Sequence, residues 1–253
     1  MPRPTELRTM SEPRDQSAPK PPADDLGLAP GDAHYRAYVG PPEDYDLVAA
    51  MTFNLMTSLG LRQHHRLLDI GCGSLRAGRL FIPYLNAGGY TGLEPNRWLV
   101  EDGIAQEVGA DLVALKRPRF VFGDSAAALD PEDRFDFAVA QSIFSHAGLD
   151  LVSGWLRGMA PHLQPSGALA ATFLVGEDCA DPGWVYPGCV TYRVETMAAE
   201  TERAGLRFQL LDWRHPRQTW ALFAAPGHDT RWLEGRGPGW NAALDAGVWK
   251  PAS

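Results

Sequence analysis

The feature that most constrains this chain is an alternation of strand-like and helix-like runs between residues 45 and 225. Runs such as RLLDIG and FDFAVA are short and apolar, which is typical of buried strands. Between such runs, apolar residues recur every three or four positions, as at Leu149, Val152, Leu156 and Met159, which predicts amphipathic helices. The alternation predicts an α/β fold, a doubly wound, Rossmann-like and mostly parallel sheet with helices on both faces.

Seven strands are predicted, and the last two, RFQLLDW and TWALFAAP, are separated only by RHPRQ. This connection leaves no room for a crossover helix, so the pair should be antiparallel, with one reversed strand at the sheet edge. Helices are predicted over residues 75–85, after an N-cap at Asn96, and from residue 149 to a turn at QPSG, residues 164–167.

Composition limits the class of protein. The 253 residues, 45% of them hydrophobic, suit one globular domain. A net charge of −8 disfavours nucleic acid and anionic membranes as partners. No apolar run approaches the roughly 20 residues that span a bilayer. Three cysteines without a C-x-x-C pattern favour a reduced, cytoplasmic protein without a metal site.

The chain divides into three predicted parts. Residues 1–30 are rich in proline and poor in large apolar side chains, which predicts a disordered tail. Residues 31–233 form the domain, whose residues 31–60 are interpreted as an N-terminal lid segment. Residues 234–253 form a second tail, rich in glycine and proline.

Ligands of such sheets bind beyond the carboxyl ends of the strands. The first strand ends at Asp69, and Gly71 and Gly73 follow, where a positive φ and a close approach to the backbone are allowed. The dinucleotide pattern G-x-G-x-x-G is not met, because Arg76 stands at its third glycine, which disfavours a pyrophosphate ligand. An acid beside the loop favours an ammonium or sulfonium group instead.

Two further acids follow the next strands. Glu94 could accept hydrogen bonds from a ribose diol, and Asp124 could accept one from the adenine amine. Three acids at consecutive strand ends fit S-adenosylmethionine, an adenosine with a positively charged amino-acid tail. The alternatives are an ordinary strand-to-helix turn at the glycines and solvated loop carboxylates at the acids.

At these segments the chain resembles the class I S-adenosylmethionine-dependent methyltransferases. LLDIGCGSLRAGRL looks like their first motif, YTGLEPN like the second and FVFGDSAAAL like the third. FDFAVAQSIFSHAG and QPSGALAATFL look like their fourth-strand and fifth-strand segments, so the resemblance covers about residues 45–225. One departure is Leu75, which stands where the family pattern E/D-x-G-x-G-x-G has its third glycine.

The resemblance and the acids together define a predicted cofactor site for S-adenosylmethionine, without a metal. The side chain of Cys72 is expected to serve packing. The predicted cofactor-binding residues are Asp69, Gly71, Cys72, Gly73, Glu94, Asp124, Ser125, Gln141 and Tyr38.

The sequence defines the residues that would bind the methyl acceptor less clearly. The segment with Tyr35, Arg36 and Tyr38 could close as a lid, with Arg36 on the methionine carboxylate, or could only pack a linker. His146 follows the fourth strand and is a candidate general base, or a histidine that orders its loop. Tyr35, Glu177 and Asp178 are the substrate candidates.

We therefore predict methyl transfer to an O or N nucleophile of a small-molecule acceptor, with specialised metabolites as one option. Methylation of a protein or peptide side chain is an alternative, and a non-catalytic cofactor-binding subunit is another. A nicotinamide-dependent oxidoreductase is disfavoured by the missing third glycine. The sequence indicates no oligomeric state.

Overall fold

The structure, a computed structural model, describes residues 27–231 and has one sheet at its centre. The predicted tails lie mostly outside the described residues. The strands are β1 (Leu67–Ile70), β2 (Tyr90–Leu93), β3 (Arg119–Val121), β4 (Phe135–Ala140), β5 (Leu163–Val175), β6 (Thr191–Tyr192), β7 (Arg207–Leu211) and β8 (Thr219–Ala224). They lie in the order β3-β2-β1-β4-β5-β8-β7, and β6 pairs with β5.

Helices connect these strands and cover both faces of the sheet. Alternate residues of β1 belong to two separate apolar clusters, Leu67 to one and Leu68 and Ile70 to the other. The predicted doubly wound α/β fold is thereby confirmed. The helices are α1 (Tyr45–Ser58), α2 (Gly78–Tyr84), α3 (Arg97–Gly103), α4 (Ala110–Lys116), α5 (Leu149–Met159) and α6 (Val194–Arg203).

The last strands confirm the predicted antiparallel pair and refine its place. β8 runs antiparallel to both β5 and β7, so the reversed strand lies one position inside the edge and β7 is the edge strand. The two-residue β6 adds an eighth strand to the predicted seven.

Two helix boundaries differ from the prediction. Helix α2 begins at Gly78 rather than near residue 75, because Leu75 has a left-handed backbone with φ of 61°. Helix α5 ends at Met159, and the predicted turn QPSG lies inside β5 as a bulge. Pairing there moves from Phe135–Leu163 to Phe137–Ala168, so four residues of β5 lie opposite one of β4.

The strand order determines where a ligand would bind. From β1 the chain proceeds to β2 and β3 on one side, whereas β4 and β5 lie on the other, so the order reverses between β1 and β4. The loops after Ile70 and Ala140 border this switch point. Because β7 runs parallel to β5, the connection 212–218 lies at the same edge of the sheet. Among the described residues, no helix is long and apolar enough to span a bilayer.

Candidate active site

The loop after β1 is covered by two side chains of this chain. Gly71 and Gly73 both have positive φ, of 65° and 53°. A Cβ at Gly73 would lie 2.6 Å from Cγ1 of Val39, and a Cβ at Gly71 would overlap the side chain of Ile143. The glycines are therefore required by the backbone and by the close approach of the N-terminal segment, residues 31–44, and of the loop after β4.

Glu94 is a buried carboxylate directly after β2. Its Oε2 accepts a hydrogen bond of 3.1 Å from the Gly73 backbone, and its Oε1 accepts two of 2.9 Å from the backbone and side chain of Asn96. Burial raises the pKa of Glu94, and these N–H groups oppose the shift. The acid thus links the end of β2 to the glycine loop. Asn96 occupies the predicted N-cap position of α3, but its side chain donates to Glu94 and does not cap the helix.

Asp69 is paired inside the protein. The Tyr90 hydroxyl donates to its Oδ2 at 2.7 Å. Burial raises the pKa of Asp69 to about 7, while the Tyr90 hydrogen bond and the Arg76 charge oppose the shift. Cys72 is buried, and a Cβ on Gly92 of β2 would lie 2.7 Å from its sulfur. Its side chain thus packs closely on β2.

Arg76, which the sequence marked only as a departure from the dinucleotide pattern, lies between the loops that follow β1 and β4. Its Nη1 donates to the carbonyl of Val39 at 2.9 Å, and its Nη2 donates to Oε1 of Gln141. Nε2 of Gln141 lies 3.0 Å from Nε2 of His215. The only sequence signal was a charge within the glycine loop. Asp124 and Ser125, beyond β3 at the same edge, are both exposed.

The N-terminal segment lies across this edge. The Tyr38 ring packs against Trp98 of α3, with 5.2 Å between ring centroids, and against Tyr186 at 5.4 Å. The Tyr186 hydroxyl donates to the Tyr38 carbonyl. Tyr38 therefore connects the β2 side of the site to the loop 176–190. Its action as a lid stays a prediction.

Arg36 and Tyr35 belong to a polar cluster of the N-terminal segment. Arg36 Nη2 donates to Glu107 Oε1 at 2.7 Å, and the Tyr35 hydroxyl donates to the same atom at 3.0 Å. Arg79 of α2 donates to Glu107 Oε2 at 2.9 Å. Arg36 is thus engaged by a carboxylate of this chain, in contrast to its predicted pairing with a methionine carboxylate. A substrate contact by Tyr35 stays a prediction.

His146 ends the short helical turn after β4. Its Nδ1 lies 2.6 Å from the Gly188 carbonyl oxygen, which can only accept, so in the neutral ring Nδ1 carries the hydrogen and Nε2 the lone pair. The Tyr186 ring packs edge-on against the imidazole, with centroids 5.0 Å apart. Burial lowers the pKa of His146, and the Gly188 hydrogen bond partly opposes this. Burial therefore favours the neutral ring, whose Nε2 can accept a proton.

Residues 68–169 match the model of a family described as a methyltransferase domain. The stretch of this chain from β1 into β5 is thus similar to a methyltransferase domain. No curated protein matches the chain by sequence.

Several solved structures share the fold of this chain. Magnesium protoporphyrin IX methyltransferase from Synechocystis PCC 6803, with bound SAH, is 13% identical with a TM-score of 0.55, covering 72% of this chain and 84% of its own. DesVI of Streptomyces venezuelae is 18% identical with a TM-score of 0.53, covering 74% and 94%. The mitomycin 7-O-methyltransferase MmcR is 17% identical with a TM-score of 0.52, covering 71% and 54%.

Two predicted substrate residues interact with the start of α6. Asp178 accepts a 2.8 Å bond from the Arg193 backbone and a 2.7 Å bond from the Thr196 hydroxyl, which lower the pKa of this carboxyl. Glu177 forms an exposed ion pair with Arg193. Their contact with substrate stays a prediction. Within residues 27–231, no group of three or more His, Cys, Asp or Glu is arranged to hold a metal ion.

The sequence missed the contribution of the connection 212–218. The Gln218 side chain donates to the Ser142 hydroxyl at 2.6 Å, and the Ser142 backbone donates to Oγ1 of the buried Thr172 at 2.7 Å. Ser142 itself has a φ of 63°, uncommon outside glycine. Thr172 of β5 and Gln218 of the connection thus support the loop after β4. The sequence of residues 212–218 suggested only a connection between two strands.

Proposed function

We propose that this methyltransferase transfers the methyl group of S-adenosylmethionine to an O or N nucleophile of a small molecule, with His146 as general base. The observation that carries the proposal is Glu94, a buried carboxylate at the end of β2 held only by N–H groups. A buried acid at this position of a methyltransferase fold is suited to the cofactor ribose.

The chain's residues fit the cofactor. An ionised carboxylate has about four acceptor sites, and three hydrogen bonds reach Glu94, so its oxygens retain capacity for a ribose hydroxyl. Asp124 is exposed beyond β3, where an adenine amine could donate to it. Bound S-adenosylmethionine supplies a methyl group activated by a positively charged sulfur. The protein's tasks are then to orient the acceptor, exclude water and accept a proton.

His146 is suited to the last of these tasks. A hydroxyl acceptor must lose its proton to become a good nucleophile, and Nε2 of the neutral imidazole can accept it. The Gly188 carbonyl then stabilises the resulting imidazolium through Nδ1. The loop that contributes Gly188 also contributes Tyr186, so the same segment orients the base and contacts the N-terminal segment.

A small-molecule acceptor is supported by the similar proteins. The names of two of them state a magnesium porphyrin and a mitomycin as the molecules methylated. At this low sequence identity, the similarity shows the fold alone. The acceptor class of this chain is therefore part of the proposal.

Calorimetric titration tests the cofactor assignment. We expect one molecule of S-adenosylmethionine or S-adenosylhomocysteine to bind per chain, and NAD not to bind. NAD binding without a response to either sulfur ligand would refute the proposal.

A subsequent screen of small phenols, hydroxylated metabolites, amines and peptides, with S-adenosylhomocysteine formation as the readout, tests the acceptor class. Turnover with peptides alone would replace the small-molecule acceptor by a protein side chain.

A further inference from the structure

Arg76 differs from the other arginines around the N-terminal segment in its partners. Arg36 and Arg79 both donate to the carboxylate of Glu107. Arg76 donates only to neutral oxygens, the Val39 carbonyl and the Gln141 amide. Among the residues that the structure describes, no carboxylate lies within ion-pair distance of Arg76.

The two acids whose charges act on Arg76 have other partners. Asp69 accepts the Tyr90 hydroxyl, and Asp44 forms an ion pair with Arg217. Burial lowers the pKa of Arg76 to about 10, and the charges of Asp69 and Asp44 oppose this shift, so the guanidinium stays charged at neutral pH. A partly buried cation bonded only to neutral groups is costly, and an anion beside it would offset that cost.

The position of Arg76 indicates which anion it would bind. The residue follows the glycine loop by three positions, and its side chain reaches Gln141 at the end of β4, so it spans the switch point between β1 and β4. Its partner Val39 also covers Gly73. The guanidinium thus lies on the β4 side of the glycine loop, whereas Glu94 lies on the β2 side.

We propose that Arg76, and not Arg36, binds the carboxylate of the methionine part of the cofactor. This inference rests on the proposed function. The planar guanidinium has five N–H donors and can bind a carboxylate through two of them at once. The adenosine part would then be recognised by Glu94 and Asp124 and the amino-acid part by Arg76, at two ends of one cleft.

A pair of ligands that differ in one group tests the proposal. S-adenosylhomocysteine carries the carboxylate, and its decarboxylated analogue, with a 3-aminopropyl group on sulfur, keeps the ammonium and the adenosine. We expect Arg76→Met to weaken S-adenosylhomocysteine binding about 10- to 100-fold, the range for a hydrogen bond to a charged group, and analogue binding less than about threefold.

Matched variants separate this role from a structural one. Arg36→Met should leave the ratio of the two dissociation constants at its wild-type value, because Arg36 is bound to Glu107. If Arg76→Met does not fold, Arg76→Lys keeps the charge without the planar fork and should show a smaller loss, confined to the carboxylated ligand.

Equal losses for both ligands in either folded Arg76 variant would overturn the assignment of Arg76. A ratio that changes in Arg36→Met and not in the Arg76 variants would return the carboxylate to Arg36. Failure of the wild-type chain to bind either ligand is a different result, because it would refute the proposed function itself.

Discussion

The two sides of the candidate site differ in how far apart along the chain their partners lie. On the cofactor side, Glu94 bonds to Gly73 and Asn96, which are 21 and 2 residues away. On the acceptor side, His146 meets Gly188 42 residues away, and Tyr186 meets Tyr38 148 residues away. The surroundings of Glu94 are therefore built within one strand-helix-strand unit, whereas the second side is assembled only when distant segments fold together.

This difference has a functional counterpart. A site made of one compact unit can recognise the same ligand in many proteins, since its geometry follows from local sequence. A site assembled from the N-terminal segment and loops 176–190 and 212–218 can change without disturbing the sheet. Variants on each side should therefore affect different quantities, cofactor affinity on one side and turnover of the acceptor on the other.

The largest effect is expected at His146. His146→Asn should lower kcat/KM for a hydroxyl acceptor by about 10²- to 10⁴-fold, because it removes the general base. Cofactor affinity should stay within about threefold. With a neutral amine acceptor the loss should be small, since no proton must leave before attack. An unchanged rate on an identified hydroxyl acceptor would remove His146 from the mechanism.

The pH profile sharpens the same test. A base acts when deprotonated, so kcat/KM of the wild type should rise with pH through the pKa of His146. That pKa is lowered from 6.5 by burial, which puts the acidic limb below about pH 6.5. The limb should disappear in His146→Asn. Its persistence in the variant would assign it to another group.

A smaller effect is expected at Glu94. Glu94→Ala should weaken S-adenosylmethionine binding by about 10- to 100-fold, or roughly 1.5 to 3 kcal/mol, by the magnitude for hydrogen bonds to a charged group. Calorimetry measures this directly. Glu101→Ala, which removes an exposed acid from the following helix α3, is the control and should bind like the wild type. Wild-type affinity in a folded Glu94 variant would leave the acid a purely structural role.

The smallest effect is expected where the two sides meet. Tyr186→Phe removes one hydroxyl that donates to the Tyr38 carbonyl, so it should loosen the N-terminal segment and raise the cofactor dissociation constant about 2- to 10-fold. Tyr84→Phe is a matched control, since Tyr84 also donates to a backbone carbonyl, that of Leu61. Equal binding changes in both variants would show that the effect is general destabilisation.

The same difference explains what the sequence could predict. The strands, the fold class and the acids at the strand ends follow from local patterns of polarity and from glycine. The support of Ser142 by Gln218 has no such pattern, because 76 residues separate the two. The pairing of Arg36 with Glu107 could not be predicted either, because the sequence does not indicate which residue a charged side chain will contact, here one 71 residues away.

Leu75 has a consequence for how this loop could be exchanged between proteins. Its backbone keeps a φ of 61°, a conformation that favours glycine, while its side chain is fully buried. Gly78 and Gly103 leave room around this part of the loop. A Cβ at Gly78 would press on the Tyr90 hydroxyl and then on Leu75, and a Cβ at Gly103 would press on the Ser74 backbone and then on Leu75. A leucine in the loop is thus compensated by glycines in α2 and α3. Grafting this loop onto another scaffold would therefore require Leu75, Gly78 and Gly103 to be moved together, because the loop and the residues packed around it depend on one another.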